Sequence, residues 1–292
     1  KTALPLANVT YGNGRFVVER HLPMQTPYSG RRWRLMGVPV STTNAPTIRE
    51  AWQENATPTP TTTSATTTAS VYNPNPGYGT HITNGIGNVN NANGFDAGST
   101  SSPSIYKLEP GSSTWAAPSS TNQLITNYNA YMLFVRGDRS IVVSNQYINT
   151  TGAANIRTRG KINIGQFQKT IYPGFNAISN PYASPVNMRS VNYDGTGSLN
   201  TYYLWDPKLL GSYSVGGWAT FSWDGFTEYD FTPYSGNATG MSSYSGNGIV
   251  ESGMAFMINK TTASNTTVEF TESSKTTASN NTTGIASRPS GD

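Results

Sequence analysis

The chain has 292 residues, enough for one large domain or two ordinary ones, and its 12% charged and 11% aromatic content excludes a disordered chain. It contains no cysteine, which excludes disulfides and thiolate metal centres. The net charge of +4 comes from 19 basic and 15 acidic groups without the dense basic stripe of a nucleic-acid binder, and no apolar run approaches the roughly 18 residues of a membrane-spanning helix.

Short bursts of aromatic and β-branched residues, separated by Gly, Pro, Ser, Thr and Asn, predict an all-β fold with long polar loops. RFVVERHL (15–22) reads as a strand, and WRLMGVPV (33–40) as a buried strand ended by proline. PTIREAWQE (46–54) predicts the one short helix, of about two turns. Ile48 and Trp52 share a face there, and Pro46 suits the start. Eight Thr then fall within residues 57–68. That run is too polar to bury a core and reads as a loop, with an exposed strand or a carrier of O-linked sugars as alternatives. Residues 56–103 together form a long polar insertion, of a kind that is either functional or disordered.

Strands resume with SIYKLEP, STWAAP, AYMLFVRGD and SIVVSNQYI. In NIRTRGKINIGQFQKTI (155–171), Ile156, Thr158, Gly160, Ile162 and Ile164 take one face. Arg157, Arg159, Lys161 and Asn163 take the other. This pattern predicts a half-buried strand with a solvated cationic face, interrupted by a bulge near Gly165.

The chain also repeats itself. FNAISNPYASPVN (175–187) aligns without gaps on WRLMGVPVSTTN (33–44), so that Trp33 meets Phe175 and Pro39 meets Pro181. TYYLWDPKLLGSYSVGGWATF (201–221) parallels SIYKLEPGSSTWAAP (104–118): Glu109-Pro110 matches Asp206-Pro207, and Trp115 matches Trp218. ESGMAFMIN (251–259) parallels NYNAYMLFVRG (127–137). Parallels in one order imply two tandem, related, antiparallel β-sandwich-like units, 1–152 with the Thr-rich insertion and 153–292.

Chemistry-bearing patterns are sparse. His21 and His81 are the only histidines and sit apart, in a strand and a loop, which argues against a zinc site. No GxSxG elbow supports a Ser-His-Asp centre. SWDGFTEYDF (222–231) sets Asp224, Glu228 and Asp230 among aromatic residues, as a glycosidase or a calcium site would, but an aromatic hairpin with solvated acids explains it as well. Arg136-Gly137-Asp138 spells a short adhesion tripeptide and also reads as the turn leaving the preceding apolar strand. Asp194-Gly195-Thr196-Gly197 reads as a tight turn. N-x-[ST] sequons begin at Asn8, Asn55, Asn149, Asn237, Asn259, Asn265 and Asn281, as Thr-rich composition alone produces. No catalytic, cofactor-binding or metal-ligating residue is assigned.

RRWRLMGVPVS, PTIREAWQE, NPGYGTHITNG, NGFDAGSTSSPSIYKLEP, AYMLFVRGDRSI and GFNAISNPYASPVNM resemble segments of large secreted surface proteins of Bacteroidota that leave the cell by the type IX route. The resemblance spans about Arg31 to Lys275 and implies a β-rich, adhesive or structural region of a larger precursor. It brings no catalytic motif. The expected role is therefore a non-enzymatic structural or adhesive module at the cell surface or in an extracellular assembly, partnered by copies of itself, other surface proteins or glycans. A filament subunit is one form of that role, with RFVVERHL and TTVEFTES as edge strands that link copies. The alternatives are a carbohydrate-binding module, whose Tyr and Trp rings stack on sugars rather than fill a core, and a glycoside hydrolase.

Overall fold

Among the described residues of the computed structural model, every strand pairing is antiparallel apart from two isolated parallel bridges. The structure describes residues 16–22, 31–41, 46–58, 77–126, 128–139, 154–195, 197–207, 209, 216–225, 229–233 and 248–278. The first elements are β1 (Phe16–Leu22), β2 (Arg32–Met36), α1 (Ile48–Trp52), β3 (Ile105–Leu108), β4 (Trp115–Ala116), β5 (Tyr131–Val135) and β6 (Ala154–Gly160). There follow β7 (Phe167–Ile171), β8 (Gly174–Ser179), β9 (Val186–Asn187), β10 (Asn192–Tyr193), β11 (Gly197–Ser198) and β12 (Thr201–Asp206). The last are β13 (Gly217–Trp223), β14 (Tyr229–Pro233), β15 (Ile249–Val250), β16 (Ala255–Lys260) and β17 (Thr266–Phe270). The fold is all-β, with α1 as its one α-helix among the described residues.

Four β layers stack through three apolar interfaces. The ribbon β1-β6 covers one face of the sheet β2-β5-β3-β4, with α1 alongside. Leu22, Ala154 and Ile156 meet Met36, Leu133 and Val135 there, together with Ile48 and Trp52 of the helix. The sheet β14-β13-β12-β16-β8 packs against the sheet β11-β10-β17-β7 in the same manner, with Tyr202, Leu204, Phe221 and Phe256 against Val268 and Phe270. Side chains alternate across a strand, so each central sheet has a second face. Those two faces, carrying Leu35, Met132 and Ala255, meet each other.

The two central sheets agree in strand order and in register. β2, β5, β3 and β4 hold the places that β8, β16, β12 and β13 hold in the other sheet. Leu35 lies opposite Met132 as Ala177 lies opposite Met257. Tyr106 lies opposite Met132 as Tyr203 lies opposite Met257. Leu108 faces Trp115 across its hairpin, and Trp205 faces Trp218.

Several local expectations need correction. The helix is five residues, closed early by Glu54 and Asn55 at φ 56° and 52°, with Thr47 as its cap. Thr47 Oγ1 accepts from the Glu50 amide at 3.1 Å while Glu50 Oε2 accepts from the Thr47 amide at 3.0 Å. The alternation of 155–171 holds through β6 and then shifts phase: Asn163 is buried, its Nδ2 donating to the Pro181 carbonyl at 2.6 Å, whereas Ile162 is half-exposed. β17 is flanked by β7 and β10 and is not an edge strand. β6 pairs with β1 along its whole length and adds Ala154 and Ile156 to the apolar cluster that holds Leu22. The Thr-rich residues from 59 to 70 lie outside the described residues. The described residues of the insertion from Gly77 contain no named strand and bury Thr80, His81, Ile82, Thr83 and Phe95.

Candidate functional site

Where the two central sheets face each other, Leu35, Met132 and Ala255 do not fill the space. Around them stand seven large flat rings, together with Ala177, Leu108 and Met257. Two adjacent cavities result. The first, of about 190 Å³, is lined by Trp33, Tyr106, Trp115, Met132, Trp205 and Trp218. The second, of about 270 Å³, is lined by Leu108, Ser113, Trp115, Phe175, Tyr203, Trp218, Thr220 and Met257. Four of the six tryptophans of the chain line this cleft. All seven aromatic side chains are half-buried, with ring surface left for a ligand.

The rings hold one another in place. Trp205 and Trp218, opposite each other on β12 and β13, meet edge to face at 5.3 Å and 87°. Trp33 packs at 5.0 Å on Phe134 and at 5.7 Å on Tyr106, and Phe175 packs at 6.4 Å on Tyr203. Such tilted and edge-to-face pairs are favoured by the ring quadrupole. Neither lining contains a carboxylate, lysine, arginine or histidine. The polar groups are the Tyr106 and Tyr203 hydroxyls, the indole N–H groups, Ser113 and Thr220. Burial raises the Tyr106 hydroxyl above its ordinary value, so it stays a neutral donor and acceptor near neutral pH. The cleft can stack flat rings and exchange neutral hydrogen bonds. It has no group for acid-base chemistry near pH 7.

The residues singled out by motif lie elsewhere. Arg136 and Asp138 are buried, and Asp138 Oδ2 accepts from the Gly77 amide at 2.9 Å, so the tripeptide is an internal tie and not an exposed adhesive turn. His21 Nδ1 is 2.7 Å from Asn155 Oδ1, while His81 lies in a separate buried cluster. No group of metal-ligating side chains occurs among the described residues. Asp224 follows β13 at a half-buried position, the backbone of Asp230 pairs with Ser222, and Glu228 lies outside the described residues. Asp194 is a left-handed turn residue at φ 61° beside Gly195. Arg32 and Arg34 are buried on the face of β2 away from Trp33, and burial, with Arg20 close by, pushes Arg34 down to about 9.

The cluster around His81 explains the order of the insertion. Arg139 donates to both Asp96 oxygens, at 2.8 and 2.9 Å, and all three side chains are fully buried. Gln53 Nε2 and the Ile82 amide add donors to Asp96 at 2.8 and 2.9 Å, and His81 Nε2 lies 2.9 Å from the Arg139 carbonyl. These bonds tie the loop to α1 and to the end of β5. Outside the cleft, a cavity of about 110 Å³ between β1 and the turn before β16 holds Arg20, Glu251 and Ser252. Arg20 donates to the Ser252 carbonyl, and burial lowers its pKa to about 10 against the opposing effect of Glu251.

Sequence reasoning found Trp115, Trp218, Trp33 and Phe175 as repeat positions but not as one site. The missing information was that the two sheets pack by these faces. A usable signal was present: on a strand with one face in a core, an aromatic residue at the out-of-phase positions marks a second buried face. Compared with known proteins, the chain matches no family model, no curated protein and no solved structure.

Proposed function

We propose that the chain is a non-enzymatic, adhesive module of a cell surface or extracellular assembly, built of two related β units, and that it holds carbohydrate in the cleft between its central sheets. One observation carries this reading. Seven half-buried aromatic side chains surround two adjoining cavities that contain no ionisable group other than tyrosine. Aromatic faces stack on the C–H faces of sugar rings, and a neutral lining suits neutral hydroxyls. Hydrolysis needs two carboxylates about the scissile bond, and the linings hold none. The resemblance to type IX secreted surface proteins of Bacteroidota agrees with an adhesive role and is part of the proposal.

The test is a glycan array probed with the whole chain, then calorimetry on the retained sugars. The expected result is binding of neutral glycans, which are recovered uncleaved, and its loss in Trp115→Ala. Equal retention by the variant, or no retention by either protein, refutes the reading.

A second reading, assembly with other copies, is supported by β1. Among the described residues this strand pairs only with β6, and it exposes Phe16 by 45% and Val17 by 53%. An edge of that kind accepts a further strand. Electron microscopy of the native material checks it: regular filaments are expected, and isolated particles at high concentration exclude it.

A further inference from the structure

The two cavities are images of one another. Let each position of β2, β5, β3 and β4 be exchanged with its counterpart in β8, β16, β12 and β13. The contacts between the sheets survive the exchange. Met36 bridges Met254, and its counterpart Ile178 bridges Asn129, the counterpart of Met254. The Gly37 amide donates to the Gly253 carbonyl at 3.1 Å, and the Ser179 amide donates to the Tyr128 carbonyl at 2.9 Å. Met254 N donates to the Glu251 carbonyl at 3.1 Å, and Asn129 N donates to the Thr126 carbonyl at 3.1 Å. Gly253 and Tyr128, also counterparts, both have positive φ, 72° and 52°.

On a twofold axis, a residue meets its own counterpart. Two such meetings occur. A Cβ on Gly37 would stand 1.9 Å from the Cβ of Ser179. Trp115 and Trp218 both line both cavities. The exchange turns Trp33, Tyr106, Trp115, Met132, Trp205 and Trp218 into Phe175, Tyr203, Trp218, Met257, Leu108 and Trp115, every one of which lines the larger cavity.

We infer that the cleft is a receptor with two ring subsites related by this pseudo-twofold axis, and that one neutral oligosaccharide places a sugar ring in each, on either side of Trp115 and Trp218. The inference rests on the carbohydrate reading above. Size agrees with it, since a cavity of about 150 Å³ accommodates a benzene ring, and the two volumes are about 190 and 270 Å³. Charge agrees for anions, which would meet no cation in either lining; a quaternary ammonium binds ring faces without a counter-charge, so choline is titrated beside the sugars. The subsites differ at two counterpart pairs, and Ser113 and Thr220 line only the larger. Trp33 and Trp205 of the smaller become Phe175 and Leu108 in the larger. The smaller grips an unsubstituted ring through more indole surface, and the larger admits a ring with a bulky substituent.

The experiment titrates the full chain with neutral gluco- and manno-oligosaccharides of increasing length, from the monosaccharide upward, by calorimetry and tryptophan fluorescence. Monosaccharide is expected at two equivalents per chain and longer sugars at one, with affinity rising about tenfold or more once both subsites are spanned. Trp33→Ala and Phe175→Ala strike one subsite each. Either is expected to abolish the gain with length and leave monosaccharide at one equivalent. Trp33→Phe and Phe175→Trp, which exchange the counterpart rings, keep the fold should an alanine variant lose it. They are expected to shift affinity in opposite directions. Length-independent binding that only one variant weakens overturns the two-subsite inference and leaves carbohydrate binding standing. Absence of binding by the native chain at every length overturns both, as does tight binding of choline in place of sugars.

Discussion

Asp96→Asn is expected to be among the most damaging single-atom changes in this protein. The Asp96 carboxylate accepts from Arg139 at 2.8 and 2.9 Å, from Gln53 at 2.8 Å and from the Ile82 amide at 2.9 Å. The amide replaces one acceptor oxygen by a donor and leaves the Arg139 guanidinium buried without its counter-charge. Removing one partner of a buried ion pair costs about 3–5 kcal/mol. That is a large share of the roughly 5–15 kcal/mol by which folded proteins are stable. At about 2–4 °C per kcal/mol, the melting temperature falls by about 10 °C. The acid limb supplies a second reading. Burial alone would raise the Asp96 pKa, but Arg139 and then His81 outweigh burial and hold it well below the usual carboxylate range. A depressed folded-state pKa gives stability that is complete above the unfolded value of about 4 and is lost as pH falls below it. Urea unfolding from pH 7 down to pH 3 is the assay. The wild type is expected to lose stability steeply below pH 4, and the variant is expected to start lower and slope less. A cost under about 1 kcal/mol at pH 7, or an unchanged acid slope, refutes the assignment of the insertion's order to this ion pair.

Further outcomes are expected. Gly37→Ala forces a Cβ to within 1.9 Å of the Ser179 Cβ and should cost about 1–3 kcal/mol in denaturant titrations. The double variant Gly37→Ala/Ser179→Gly should recover most of that loss, and no recovery would contradict their meeting on the axis. Thr47→Ala removes the cap of α1 and should cost about 1 kcal/mol, with no loss meaning the capping box is idle. Burial, and Lys107 to a lesser degree, push the Lys169 ammonium down to about 8. The unfolded chain then binds more protons between about pH 8 and 10.4, so this group's contribution to stability rises with pH across that window. Lys169→Met lacks the titration, and its stability relative to wild type should fall through the same window. Parallel curves would refute the burial.

The sequence carried the fold class and the strand content because those depend on local alternation and turn chemistry. Its internal parallels fall on strands with equivalent places in the two central sheets, down to the register of Leu108 with Trp115 and Trp205 with Trp218. Other features depend on long-range packing. Nothing near Thr266–Phe270 announces that β10 and β7 take both of its edges. Nothing in NNANGFDAG indicates that Asp96 meets Arg139 in the interior. The cleft was half legible. Its tryptophans stood out as repeat positions, but which faces meet is a property of two sheets together and not of any one strand.

The pairing of β1 with β6 bears on the order in which the molecule acquires its structure. Phe16 meets Gly160, so β1, the first strand among the described residues, waits for one made much later. The apolar cluster of Leu22, Ile48 and Trp52 stays incomplete until Ala154 and Ile156 arrive. Pairings of such separation carry a high loop-closure cost and slow folding. During synthesis the second half of the chain is therefore already emerging when the first core closes. The β1-β6 ribbon acts as a late clasp on the first apolar core.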